Sequence, residues 1–151
     1  MRDLFRGRNV DIRALNRRMK TLMDQEGLLY NERTSTFNSR LAQELAKWAE
    51  GEAQGKRFNK ALFRAYFAEG KNIGRPEALI EIAENAGLAA PVAREVLETR
   101  RFRDAVDRDW KRCGDLEVTA VPTFVVRGSK LVGAQPYEEL ERFVMKASSG
   151  A

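Results

Sequence analysis

The sequence predicts an incomplete α/β chain, mostly helical and then closing with a β-hairpin and one last helix. Three observations lead there. Six segments between residues 11 and 114 carry apolar residues at helical spacing. Beyond Gly114 the pattern changes to two short β-rich runs, "TFVVR" and "KLVG". The first of these is apolar at nearly every position, as strands buried on both faces of a parallel sheet are. The organisation read from this change is a helical domain over 1–114 and a ββα portion over 115–151.

The elements follow in order. Asp11 is placed as an N-cap, with Ile12, Leu15, Met19, Leu22 and Met23 on one helical face and Gly27 ending the helix. Asn38 or Ser39 caps a second helix bearing Leu41, Leu45 and Trp48, where Ala42, Ala46 and Ala49 allow close helix contact. After the polar break "GEAQGK", a third helix presents Phe58, Leu62, Phe63, Tyr66 and Phe67. Pro76 takes the favoured first-turn position of a fourth helix, whose Leu79, Ile80, Ala83 and Ala86 share a face before Gly87. Pro91 opens a short helix with Val92, Val96 and Leu97. Phe102, Val106, Trp110 and Cys113 then recur as one stripe, which Gly114 stops. In the hairpin, Gly128-Ser129 suits a type II′ turn. Pro136 opens the final helix, with Tyr137, Leu140, Phe143 and Val144 apolar.

Composition narrows the chemistry. With 43% hydrophobic and 32% charged residues in 151, the chain is long and apolar enough to build a core. It has no histidine, which removes Ser-His-Asp triads and imidazole zinc ligands. Its one cysteine, Cys113, removes an internal disulfide and any Cys-x-x-Cys pair within these residues. No metal site is expected. The net charge of +5 is concentrated early, at Arg2, Arg6, Arg8, Arg13, Arg17, Arg18 and Lys20. Asp3, Asp11, Asp24 and Glu26 interrupt that run and no aromatic ladder accompanies it, so a solvated helix face is expected rather than a nucleic-acid patch. The first ten residues lack an apolar signal region and no run approaches a membrane span, which sets a cytoplasmic expectation with no membrane partner.

A lone two-stranded hairpin is marginal in water and needs further strands or a helix beside it. The run "VTAVPTFVVRGSKLVGAQPYEELERFV" supplies the context, because proline loop, glycine turn, "GAQP" and final helix resemble the C-terminal half of the DsbA-like thioredoxin family. The similarity is to the branch of FrnE-like oxidoreductases and 2-hydroxychromene-2-carboxylate isomerases. Upstream, "STFNSRLAQELAKWAE", "LFRAYFAEGKNIGRPEALIEIAENAGL" and "EVLETRRFRDAVDRDWKRC" resemble the helical insertion of that family. Family members begin with a strand, a Cys-x-x-Cys (or Ser) at a helix N-terminus and a second parallel strand, and these 151 residues contain none of that.

The resemblance implies a thioredoxin-like fold of DsbA type, here incomplete. The function it implies is the C-terminal portion of a thiol–disulfide oxidoreductase, inactive alone. The sister branch would make it a glutathione-dependent isomerase fragment, with glutathione as cofactor; otherwise no cofactor is implied. A third reading is a non-catalytic helical binding or assembly module. No residue here is assigned as catalytic. Substrate binding is assigned to Val121, Pro122 and Thr123, with a cis bond before Pro122 and the Val121 backbone pairing with an extended protein thiol or disulfide substrate. Gln135 and Asn38 are secondary candidates for the same cleft, with capping or turn roles as the plainer expectation. Cys113 falls at the C-terminal end of its helix, where the dipole disfavours negative charge, and is expected in the core. Trp48 and Trp110 are expected there too. The apolar edge of "TFVVR" is expected to be covered by a twofold partner or a swapped element.

Overall fold

A computed structural model describes residues 11–32 and 35–149, with only the backbone at Ile12. The early basic residues Arg2, Arg6 and Arg8 lie outside the described residues, as does Asp3.

α1 runs Ile12–Gln25, and its start is set by Asp11, whose Oδ1 accepts from Arg13 N at 2.9 Å and Ala14 N at 3.1 Å. α2 spans Arg40–Gly51. Its first turn is held by Asn38, whose Oδ1 accepts from Arg40 N at 2.9 Å, whereas Ser39 Oγ accepts from the Gln43 side chain instead. α3, Gly55–Phe67, begins hard against the end of α2. A Cβ on Gly55 would lie 2.9 Å from Glu50 Cγ and 3.1 Å from Glu50 Cα, so this turn admits only glycine. α4 covers Pro76–Asn85 and α5 covers Ala90–Thr99, each with proline in its opening turn. α6 runs Arg103–Asp115, one residue past Gly114.

The core belongs to α2–α5. Leu45, Trp48, Phe58, Leu79, Ile82, Ala83, Val96 and Leu97 are buried together, and the alanines at 42, 49 and 93 bring the helices close. Burying a Phe or Leu side chain contributes about 1.5–3 kcal/mol, so these few residues dominate the stability of the bundle. Trp48 is in this core as expected, and its Nε1 donates to Glu52 at 3.1 Å.

Three sequence expectations about burial are corrected. Phe63 is exposed and stacks on Phe67 at 5.9 Å, because α3 buries only the side marked by Phe58 and Ala65. Val92 is also exposed, since α5 turns Ala93, Val96 and Leu97 inward. On α6 the predicted stripe is buried only at Val106, whereas Trp110 is 56% exposed and Cys113 is exposed. Helical periodicity in a sequence marks an apolar side and does not by itself bury it.

Contacts divide the chain into two compact units, Met1–Val106 and Asp107–Ala151, and the division falls within α6. The expected boundary after Gly114 lies one residue before the end of α6, and the contacts divide earlier.

In the second unit β1 (Thr123–Val126) pairs antiparallel with β2 (Ser129–Val132), from Thr123↔Val132 to Val126↔Ser129. That register leaves Arg127 and Gly128 as the turn residues, with φ of +47° and +83°. Positive φ at both positions marks a type I′ turn, so the predicted II′ turn on Gly128-Ser129 is displaced by one residue. The primed turn matches the right-handed strand twist, and Arg127 accepts a conformation that usually falls to Asn or Gly. α7, Tyr137–Ser149, packs against both strands. No described residue after Val106 is buried, and Phe124, Val132, Val144 and Met145 stay exposed.

Candidate substrate-positioning loop

The loop before β1 is built from the end of α6 forward. Glu117 adopts the left-handed region at φ +51°. Its N–H donates to Gly114 O and the next N–H, of Val118, donates to Cys113 O, both at 2.8 Å. This pair of bonds closes the helix as a Schellman motif, a role that usually goes to glycine. The Glu117 carboxylate accepts from Lys130 Nζ at 2.9 Å, which ties the helix end to β2. That hydrogen bond, with the lysine's charge, holds the Glu117 carboxyl below its ordinary range.

From there the chain rises to an exposed turn. Val121 is 90% exposed and the Val121–Pro122 bond is cis, the isomer that the family resemblance implies. Thr123 Oγ1 donates to Ala120 O at 2.6 Å and so clamps the turn across the proline. Pro122 O accepts from Gly133 N at 2.8 Å, which anchors the other side of the loop to the end of β2. Gln135 Nε2 donates to Val132 O at 2.9 Å. Val121, Pro122 and Thr123 therefore share one held loop at the head of β1. Gln135 braces the strand end, and Asn38 serves as a capping residue of the helical unit.

This loop offers backbone groups and an apolar side chain to a chain laid beside it, and it offers no nucleophile. Cys113 is exposed at the C-terminal end of α6, unlike the reactive thiols that sit at helix N-termini. Among the described residues no three Asp, Glu or Cys side chains gather as a metal site. β1 hydrogen-bonds only to β2 among the described residues, so its other edge is open.

One buried polar cluster went unrecognised in the sequence. Glu44 is fully buried on α2. Its carboxylate accepts from Arg40 Nε at 2.8 Å, Arg100 Nε at 2.8 Å and Arg100 Nη2 at 2.7 Å, and Arg40 Nη2 continues to Arg103 O at 2.9 Å. The hydrogen bonds from Arg100 lead in holding the Glu44 carboxyl below its ordinary range, against the opposing push of burial. The cluster fastens α2 to the α5–α6 corner and is structural in character.

The description "DSBA-like thioredoxin domain" matches residues 3–144. The chain belongs to that family. A probable DsbA oxidoreductase of Streptomyces coelicolor, SCO1869, superposes with a TM-score of 0.83 at 27% identity, over 91% of this chain and 61% of that one. YwbO of Bacillus subtilis, described as uncharacterized, is 32% identical over 92 residues, which is 60% of this chain and 46% of YwbO. The ClpXP adapter protein SpxH of Halalkalibacterium halodurans is 29% identical over 111 residues, 69% of this chain and 36% of SpxH. The chain thus spans less than half the length of these two relatives and about 61% of the Streptomyces structure. The fold is the DsbA-like thioredoxin type, here seen as seven helices and a two-stranded sheet among the described residues. No described helix is long and apolar enough to cross a membrane.

Proposed function

We propose that this chain serves thiol–disulfide exchange as the substrate-positioning portion of a DsbA-like oxidoreductase. In such exchange a thiolate attacks one sulfur of a disulfide, a new S–S bond forms, and the other sulfur leaves as a thiolate. The attacking and resolving sulfurs would come from a segment outside these residues, and the 151-residue chain by itself would be inactive. Val121 would pair its backbone with an extended substrate chain, while Pro122 and Thr123 hold the loop in place. The observation that carries this reading is family membership over residues 3–144 together with an exposed, braced loop at the head of an open strand. Its test is titration with an extended peptide carrying a mixed disulfide, followed by amide shifts. Shifts centred on residues 120–123 and lost in Val121→Pro support it; shifts confined to the helical unit overturn it.

An exposed free thiol suits a reducing compartment, and we place the protein in the cytoplasm. Taken alone, the chain would cover the open edge of β1 with a second copy, since Thr123–Val126 carries none of the charges that keep strand edges apart. Light scattering that stays monomeric at high concentration contradicts this.

Similarity to SpxH favours a second reading, in which the helical unit is an adapter that binds protein partners. Retention of the chain by purified ClpXP tests it, and a chain that passes through unretained contradicts it.

A further inference from the structure

We infer that Lys130 and Glu117 are positioning residues for substrate, which set the loop 118–122 from its base. The inference rests on the substrate-positioning reading above and adds what holds that loop ready. All of its parts lie within the second unit, Asp107–Ala151. The loop leaves α6 at Glu117 and enters β1 at Thr123, and both of its ends are fastened to the β2 side of the hairpin. At the start, Lys130 Nζ donates to Glu117 Oε2 at 2.9 Å. At the end, Gly133 N donates to Pro122 O at 2.8 Å. Between these fastenings Val121 stands 90% exposed, and the Thr123 hydroxyl closes the turn onto Ala120 O.

The residue types single out the first fastening. Glu117 holds φ at +51°, where glycine costs least. The helix closure uses only the Glu117 N–H and the N–H that follows it, and glycine would serve that closure as well. What glutamate adds is the carboxylate that reaches Lys130. Lys130 is itself placed by the hairpin register opposite Val125, and its side chain is 30% exposed against 84% for Glu117. Backbone strain kept beside a binding loop is a mark of preorganisation. A loop fixed before its substrate arrives loses less freedom on binding, so cutting this tie costs affinity rather than the fold.

The test titrates the whole chain with the extended mixed-disulfide peptide, made without charged side chains and read by amide shifts at residues 120–123. Lys130→Met and Glu117→Gly are each expected to bind roughly threefold more weakly, the size an exposed ion pair can carry. The double variant is expected to bind no more weakly than either single one, because both remove the same contact. Lys130→Arg keeps the charge and is expected to retain most of the binding. Lys146→Met removes a lysine from the last turn of α7 and is expected to change nothing. Glu117→Gly also relieves the backbone, so its unfolding midpoint is expected to stay level or rise while its binding falls. A midpoint that falls in step with binding overturns the inference, as does a loss that Lys146→Met reproduces. If the wild-type chain gives no shifts at 120–123, the substrate-positioning reading falls and this inference with it. If it binds there and both single variants bind equally well, this inference alone falls.

Discussion

The guanidinium of Arg100 grips the carboxylate of Glu44 with two hydrogen bonds, Nε to Oε2 at 2.8 Å and Nη2 to Oε1 at 2.7 Å, across 56 positions of sequence. Arg100 does so from the left-handed region, at φ +54°, just past the end of α5. That is a position where glycine costs least. Arginine there trades backbone ease for the buried ion pair. Arg100→Gly should therefore destabilise the chain although it relieves the backbone. The expected loss is about 1.5–3 kcal/mol in urea unfolding, set by a charged hydrogen-bond partner left short inside the bundle. The Glu44 side chain is 1% exposed and that of Arg100 43%, which keeps the loss below that of a fully buried pair.

Acid stability should report the same contact. The Glu44 carboxyl is held below its ordinary value, with the Arg100 hydrogen bonds as the leading cause. Its folded value thus lies under its unfolded one, about 4.3. The stabilisation is complete above the unfolded value and is lost as pH falls through the folded value. Glu44→Gln should flatten that part of the acid limb, measured by unfolding midpoint against pH. Lys71, raised chiefly by its hydrogen bond to Glu81, acts with the opposite sign: its contribution is present below the ordinary lysine range and fades as pH rises through the raised value.

The hairpin turn gives a third prediction. Arg127 and Gly128 both hold positive φ. Arg127→Asn should stabilise the hairpin by about 0.5–1 kcal/mol, since Asn accepts this region more readily. Gly128→Ala should destabilise it by at least about 1 kcal/mol. Amide exchange at Phe124 and Val126 measures both effects. A turn centred on Gly128-Ser129 would instead leave Arg127→Asn without effect.

The two tryptophans should separate. Trp48→Ala should cost about 3–5 kcal/mol as a core truncation, and Trp110→Ala no more than about 1 kcal/mol. Acrylamide should quench Trp110 emission in the native state and leave Trp48 protected, because Trp110 is 56% exposed and Trp48 3%.

Much of this fold could be read from the sequence where local chemistry decides it. Asp11, Pro76, Pro91 and the proline loop before "TFVV" each act on their own neighbours, and each fell where the residue types implied. What failed depended on partners distant in sequence. Trp110 and Cys113 lie on a regular stripe, but burial on α6 is confined to Val106, and nothing local in the sequence marks that limit. Arg127 carries no turn signal of its own, so the neighbouring glycine places the expected turn one residue late. Glu44 had a signal: it lies three residues after Leu41 and four before Trp48, within the apolar side of α2. Its partner Arg100 had none, since only the closed bundle brings α5 against α2. In the candidate loop, the cis bond before Pro122 is the one the family resemblance implies, whereas the tie between Glu117 and Lys130 depends on the hairpin register.

If these residues position a substrate as proposed, the reacting sulfur pair comes from outside them. Insulin reduction in dithiothreitol is the decisive measurement. The expected rate equals that of buffer for the 151-residue chain and for Cys113→Ser alike. A rate clearly above buffer, whether or not it survives Cys113→Ser, would contradict it.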